Sequence, residues 1–287
     1  MTALQRCNVS LAIFAVLKVM VLANQEVRYV PMPRRTIPGY FVIESIKGSL
    51  PGATGEGLLA RIETAIKLNA DDRPYAVANE YIAARLAYAA GLPVPPGEIV
   101  RLADGRIGYV CLMFKPDGVS LPPVIPSELV QQDPNFCMGV ILFDMWIRNG
   151  IDRHDENLAY MSGVGGSIFD HDTALLGYNR GKAVEELRNA KAQSCVDGHC
   201  LIRDIHTLEH AHEWAARMAA VPQSLIRESA AKVFGFGLIN AAERDEVISF
   251  LAFRKDRLLE YLGSSRALFR NVSMWPLIDG ESEAGER

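Results

Sequence analysis

The sequence has few cysteines and no marked excess of charge of either sign. Its 287 residues include five cysteines, a small and odd number for a chain of this length. A chain this long can bury a stable core without disulfides, so we expect free thiols, a reducing compartment and a cytoplasmic location. Lysine and arginine total 30 against 34 for aspartate and glutamate, a formal net charge of −4. Proteins that bind nucleic acid through its phosphates are typically basic, so we expect no direct nucleic-acid binding.

Long apolar runs are also lacking beyond residues 1–24. The run from Val9 to Leu17 is almost entirely apolar and follows Arg6, which is the outline of a secretory signal or a membrane anchor. Lys18 interrupts it, and the stretch is barely long enough to cross a bilayer. A buried strand or helix, or a true start at Met20, is the interpretation that we favour. We therefore expect no membrane association.

Glycine, proline and apolar residues divide the remaining chain into two parts. Residues 25–114 favour strands, with one helix over residues 76–90. Prolines and glycines are frequent over residues 116–134, which predicts a lobe boundary there. Residues 115–275 favour helices, and residues 276–287 form a polar tail. The sequence predicts an α+β fold of two lobes, the first rich in sheet and the second helical.

Several local patterns predict individual elements. Residues 58–68 are typical of one strand, and residues 135–149, apolar on almost every face, of a helix inside a core. Asn240 followed three residues later by Glu243 resembles a capping box. Apolar residues then recur at helical spacing from Val247 to Leu262, which predicts a continuous helical stripe.

The most informative stretch, residues 149–157, follows the apolar helix and reads NGIDRHDEN. Asp152 and Asn157 have the D-x-x-x-x-N spacing of kinase catalytic loops. In that chemistry a carboxylate orients the attacking hydroxyl and accepts its proton, while an amide oxygen helps to hold Mg²⁺. A hairpin over residues 158–169 would return Asp170 beside Asn157, as the carboxylate that joins the metal to the phosphates. The alternative interpretation is a charged loop that merely ends the helix.

The first part of the chain carries the other expected groups in the expected order. Lys67 ends a strand, and Glu80 lies thirteen residues later in the first turn of the next helix, which makes an ion pair plausible. The alternative is a surface lysine and a glutamate favoured by the helix dipole. Residues 48–57 contain four glycines, whose N–H groups can approach phosphates closely. Their pattern differs from G-x-x-x-x-G-K-[ST], which argues against a Walker-type NTPase.

Four segments resemble the HipA-type kinases, a bacterial branch similar to the phosphatidylinositol 3/4-kinase superfamily. The D-R-H run is the most specific part of this resemblance. The segments are Ser49 to Ala53 (SLPGA), Asn79 to Leu86 with Gly91 to Pro95 (NEYIAARL and GLPVP), Phe143 to Asn157 (FDMWIRNGIDRHDEN) and Ile168 to His171 (IFDH).

The resemblance implies a kinase-like fold and transfer of the γ-phosphoryl group of ATP, with Mg²⁺, to a serine or threonine hydroxyl. The acceptor would be a protein or the chain itself, and a regulatory partner protein is a further expectation. Ser49, Gly52 and Ala53 would approach the phosphates, and Ser49 is a candidate autophosphorylation site. Leu112 and Phe114 belong to the segment expected to contact adenine, which spans residues 110–114.

The resemblance leaves some assignments open. Asn157 and Asp170 are the expected metal ligands. His171 is followed by Asp172 rather than by glycine, so either aspartate could be the metal carboxylate, and we favour Asp170. The alternative functions are a kinase of a lipid or small molecule with the same fold, and an inactive kinase-like binding module. Intact Lys67 and Asp152 argue against the inactive module.

Overall fold

The computed structural model of the chain describes residues 43–52, 55 and 57–275. The apolar segment of residues 1–24, the polar tail of residues 276–287 and Ala53 lie outside these ranges, so the predictions made for them are not addressed further. Within the described ranges, no helix is both long and apolar enough to cross a membrane. The lobe boundary at residues 114 and 115 stays a prediction.

Strands in the first part of the described chain form two antiparallel sheets. One is a hairpin of β1 and β2, and the other has three strands in the order β3, β5, β4. Each strand carries isoleucine, valine or leucine, which favour extended backbone on a partly buried surface. The bounds are Ile43–Ser49 for β1, Leu58–Ile62 for β2, Thr64–Leu68 for β3, Gly97–Arg101 for β4 and Ile107–Leu112 for β5.

The prediction of one strand over residues 58–68 is wrong. Ile62 pairs with Ile43 in the hairpin, whereas Thr64 pairs with Leu112 in the three-stranded sheet. The chain changes sheets between these two residues. Their partners lie far apart in the sequence, so local propensity does not show where one strand ends and the next begins.

Helix α1, Ala76–Ala90, lies where the sequence predicted it. The Asn69 side chain accepts the N–H of Val77 at 3.0 Å and satisfies one of the free donors at the helix start. Gly91 ends the helix at φ +83°, a left-handed conformation that glycine adopts without strain. Glu80 is the fifth residue of the helix, so it follows the first turn rather than lying within it.

The second part of the described chain is mainly helical and packs around α3. Twelve successive residues, Phe136 to Ile147, are buried, which confirms the prediction of a helix inside a core. Trp146 donates its indole N–H to the carbonyl of Leu251 at 2.9 Å. The elements are α2 Pro126–Gln132, α3 Pro134–Ile147, β6 Leu158–Met161, β7 Gly165–Ile168, α4 Ala183–Ala190, α5 Ala211–Ala219, α6 Gln223–Gly235, α7 Ala241–Arg254 and α8 Leu258–Ser264.

The start of α7 was predicted correctly and its end was not. Asn240 Oδ1 accepts the N–H of Glu243 at 3.0 Å, and Glu243 Oε2 accepts the N–H of Asn240 at 2.8 Å, a capping box. The continuous stripe is wrong, because α7 ends at Arg254 and α8 begins at Leu258. The guanidinium of Arg254 is buried and donates to main-chain carbonyls that include Met145 O, so tertiary hydrogen bonds dominate this junction.

Candidate active site

A cavity of about 210 Å³ opens where β3, β5, α1 and the segment after β7 meet. Its walls are largely apolar, and three ionisable side chains, Lys67, Glu80 and Asp170, lie among them. Leu112 and Phe114 line it as expected, whereas Val110, at the start of the predicted adenine segment, does not. The remaining lining residues are Ala65, Val94, Pro95, Tyr109, Cys111, Met113 and Phe169.

Lys67 joins two carboxylates at this cavity. The register of the sheet places Lys67 opposite Tyr109, and its Nζ lies 2.5 Å from Glu80 Oε1. The same ammonium group forms an ion pair with Asp170, which is 103 residues away in the sequence. Burial would lower the pKa of Lys67, but the charges of Glu80 and Asp170 outweigh it and raise the pKa above its usual value. The lysine is therefore a fixed cation at the cavity.

Glu80 is the anchor of this cluster. Its side chain is only 5% exposed, and it accepts the backbone N–H of His171 at 2.8 Å. Burial alone would raise the pKa of Glu80, but interactions with His171 and Lys67 lower it from 4.5 to about 2. One ionised carboxylate thus fixes both Lys67 and the residue that follows Asp170.

Asn79, the neighbour of Glu80 on α1, clamps the segment after β7. Its amide donates to the carbonyl of Asp172 at 2.7 Å, and its Oδ1 accepts the N–H of Leu176 at 3.2 Å. Asp170 sits in this segment at φ +60°, a left-handed conformation that is unfavourable for most residues other than glycine. Hydrogen bonds from α1 on the following residues help to hold that backbone in place.

A buried arginine connects the loop of residues 149–157 with the end of the hairpin. Arg153 is inaccessible to solvent and donates to both oxygens of Asp144, at 2.7 and 3.1 Å. Its Nη1 also donates to the carbonyls of Asn157 at 2.8 Å and Phe169 at 2.9 Å. Burial would raise the pKa of Asp144, but the charge of Arg153 outweighs it and lowers the pKa well below the usual range. One guanidinium therefore sets the spacing between the residues before Leu158 and the residue before Asp170.

Sequence reasoning found Arg153 only as part of the D-R-H resemblance and missed Asp144. These two residues are nine positions apart, on a helix and a loop, and no spacing rule links them. The signal was the charge of Asp144 within an otherwise apolar helix. A charge on the buried side of a core helix needs a partner of opposite sign.

Asp152 and Asn157 lie beside this network and do not line the 210 Å³ cavity. The Asn157 amide donates to the carbonyl of Asp152 at 3.1 Å, and Phe169 donates its N–H to the carbonyl of Asn157 at 3.4 Å. In the part of the chain that the structure describes, no hydrogen bond occupies Asn157 Oδ1 and no ion pair occupies the Asp152 carboxylate. Both groups are available to a ligand, and their roles stay predictions.

The two candidate metal carboxylates differ in their surroundings. Asp170 is 38% exposed and lines the cavity with Lys67. Asp172 turns toward Arg73, whose Nε is 3.4 Å from Asp172 Oδ2. Burial and the charge of Asp170 raise the pKa of Asp172 above its usual value. The geometry places Asp170, rather than Asp172, with the lysine.

The glycine-rich segment lies apart from these groups. Ser49 ends the exposed strand β1, and Leu50 donates its N–H to the carbonyl of Gly57 at 2.7 Å. Gly52 adopts φ +75° in the turn. Neither Ser49 nor Gly52 lines the cavity, and Ala53 lies outside the described residues. Their predicted approach to phosphates is not seen in this arrangement.

No known family model matches the chain, and no curated protein sequence matches it. Two solved structures are similar to it. One is the Helicobacter pylori proinflammatory kinase CtkA, with 14% identity, a TM-score of 0.48, and coverage of 76% of this chain and 94% of that chain. The other is the Shewanella oneidensis MR-1 toxin–antitoxin system of HipA, HipB and its operator DNA, with 13% identity, a TM-score of 0.36, and coverage of 84% and 68%. The expected resemblance to HipA-like kinases is confirmed as a likeness of fold, and the chemistry is argued from the site itself.

Proposed function

We propose that the chain is an ATP- and Mg²⁺-dependent kinase that transfers the γ-phosphoryl group to a serine or threonine hydroxyl of a protein, itself included. The observation that carries the proposal is Lys67, held between Glu80 and Asp170 at an apolar cavity. A positioned lysine, its paired glutamate on the next helix and an aspartate after a hairpin are the parts that phosphoryl transfer requires.

The cavity suits the base of a nucleotide rather than the whole molecule. Its volume of about 210 Å³ is below the roughly 300–1,000 Å³ typical of ligand pockets. Apolar side chains, including Leu112 and Phe114, would contact the two faces of a purine. Lys67 supplies the positive charge that the phosphates need, because Glu80 and Asp170 keep its ammonium in place.

The donor atoms fit magnesium. Within the described ranges, no group of three or more histidine, cysteine, aspartate or glutamate side chains could hold a metal ion by itself. Asn157 and Asp170 instead offer one amide oxygen and one carboxylate. Mg²⁺ accepts such oxygen ligands and usually completes its shell with water and substrate phosphates. When bound, the ion would neutralise charge that develops on the transferred phosphoryl group.

Asp152 is the group we assign to the acceptor hydroxyl. Its carboxylate is free of ion pairs with described residues, so it can accept a hydrogen bond from an incoming hydroxyl and then its proton. Arg153 holds the loop from inside, and the Asn157 amide holds the Asp152 carbonyl. The Asp152 side chain is thus presented by a backbone that is fixed on both sides.

Purified protein incubated with Mg²⁺ and γ-labelled ATP tests the proposal. We expect label on the protein itself or on an added protein acceptor. Asp152→Asn should reduce transfer by about 10²–10⁴-fold and leave calorimetric binding of Mg²⁺–ATP unchanged. Asp170→Asn should reduce both transfer and Mg²⁺-dependent binding.

Asp104→Asn is the matched control, since Asp104 is an exposed aspartate paired with Arg106 and lines neither site. It should behave like the unaltered protein. Label that appears only on a lipid or small molecule would favour a kinase of that substrate. A chain that binds ATP without Mg²⁺ dependence and never transfers phosphate would contradict the proposal and favour the inactive binding module.

A further inference from the structure

A second and larger cavity, of about 520 Å³, lies next to the predicted catalytic loop. It is formed by the segments of residues 196–203 and 268–271. None of its lining residues lines the cavity that holds Lys67. Its volume falls within the roughly 300–1,000 Å³ range of small-molecule sites. Nothing in the proposed kinase reaction uses it.

The charge of this cavity is one-sided. Arg203 and Arg270 line it, and neither forms an ion pair with any residue in the described ranges. Its lining contains no aspartate or glutamate. Asn271 lines it as well and donates its amide to the carbonyl of Arg203 at 2.6 Å, which joins the two walls. Two uncompensated guanidinium groups in one cavity are unexpected in a chain of net charge −4 and attract an anion.

We propose that this cavity binds a phosphate group. A guanidinium offers two parallel N–H donors that match two phosphate oxygens, and two guanidinium groups can neutralise a dianion that a single one would leave half-compensated. The amide of Asn271 adds a neutral polar group at the same wall. The source is a phosphorylated side chain of a protein or a free phosphate compound, and the two share this recognition chemistry.

The position of the cavity links it to the predicted catalytic loop. Cys200, in its wall, donates its N–H to the carbonyl of Arg153 at 3.0 Å. His199, also in the wall, has its Nε2 3.2 Å from Asp144 Oδ2. A Cβ added at Gly150 would come within 2.3 Å of the carbonyl oxygen of Cys195, so the loop and this segment touch backbone to backbone. A ligand held by Arg203 therefore orders a segment that supports the loop.

The test measures binding to the full chain, without ATP or Mg²⁺, so it does not depend on kinase activity. The probes are inorganic phosphate and an alanine-rich peptide with one phosphoserine, compared with the same peptide lacking phosphate. Titration calorimetry should show binding of at least one phosphate probe and none of the unphosphorylated peptide. Arg203→Gln and Arg270→Gln should each weaken that binding by roughly tenfold to a hundredfold. Arg85→Gln removes the same charge from an exposed position of α1 that lines neither cavity, and should change nothing.

Hydrogen exchange and one further variant locate the site. Phosphate should protect amides of residues 196–203 in the unaltered protein and not in Arg203→Gln. Lys67→Met should retain binding, because Lys67 belongs to the other cavity. A preference for the phosphopeptide identifies a protein as the source, and equal or better binding of inorganic phosphate identifies a small compound. Two results overturn the proposal: no phosphate binding at millimolar concentration, or binding that Lys67→Met abolishes and both arginine variants retain.

Discussion

Replacing Glu80 with glutamine removes one negative charge from the Lys67–Glu80–Asp170 cluster and keeps an oxygen that can accept the His171 N–H. The shape of the side chain is nearly unchanged, so the substitution tests charge rather than packing. The low pKa of Glu80, about 2 instead of 4.5, corresponds to about 3 kcal/mol in favour of the ionised form in the folded state, at about 1.36 kcal/mol per pH unit. We expect Glu80→Gln to lower the free energy of unfolding at pH 7 by about that amount.

The pH dependence gives the sharper measurement. The folded-state pKa of Glu80 is depressed, so its contribution is complete above pH 4.5 and disappears as the pH falls toward 2. Linkage predicts that about 2 kcal/mol of the contribution is lost by pH 3. The difference in unfolding free energy between the unaltered chain and Glu80→Gln should therefore narrow below pH 4.5. Urea denaturation followed by tryptophan fluorescence, at several pH values between 7 and 3, measures it.

An exposed pair supplies the control. Glu63 lies 2.7 Å from Lys115 Nζ, a distance close to that of the Glu80 pair, but its side chain is 51% exposed. Solvent screens such pairs, so Glu63→Gln should cost less than about 1 kcal/mol at every pH. A Glu80→Gln loss that stays constant from pH 7 to pH 3, or that equals the Glu63→Gln loss, would refute the charge argument and point to packing.

Four other outcomes are expected. Mass spectrometry after incubation with Mg²⁺ and ATP should find phosphate on Ser49, which would add negative charge where the nucleotide phosphates are expected and so lower activity; no modification within residues 48–57 would count against this. Asp172→Asn should weaken Mg²⁺-dependent ATP binding less than Asp170→Asn, and the opposite order in calorimetry would shift the metal carboxylate by two residues. Burial raises the pKa of the Cys111 thiol from 9.0 to about 11, so at pH 7.5 iodoacetamide should label it about 100-fold more slowly than an ordinary thiol, and more slowly still with ATP bound; fast labelling unaffected by ATP would contradict its place in the cavity. Arg153→Met leaves a buried carboxylate without its ionic partner and should lower the unfolding free energy in urea by about 3–5 kcal/mol, and a loss below about 1 kcal/mol would contradict the buried network.

Local chemistry in the sequence was sufficient to predict several elements. Gly91 ends α1 because the position requires a left-handed backbone, and a neighbour in the sequence is all that such an ending needs. The capping box of Asn240 and Glu243 is equally local. The α3 helix was predicted because an unbroken apolar surface can only be buried. The ion pair of Lys67 and Glu80 was anticipated from residue order, and it forms because β3 and α1 are close in sequence and in space.

The remaining features depend on partners that are distant in the sequence. Lys67 meets Asp170 across 103 positions, and Arg153 turns inward because Asp144 awaits it on another element. No local pattern states whether a charged side chain will be buried, because desolvation is offset only by a partner that the whole fold must bring into place. The sequence by itself thus determined the helix ends, the core helix and the types of residue at the candidate site. Only the tertiary structure decided which charges pair, where the chain changes sheets after Ile62, and that two unpaired arginines share one cavity.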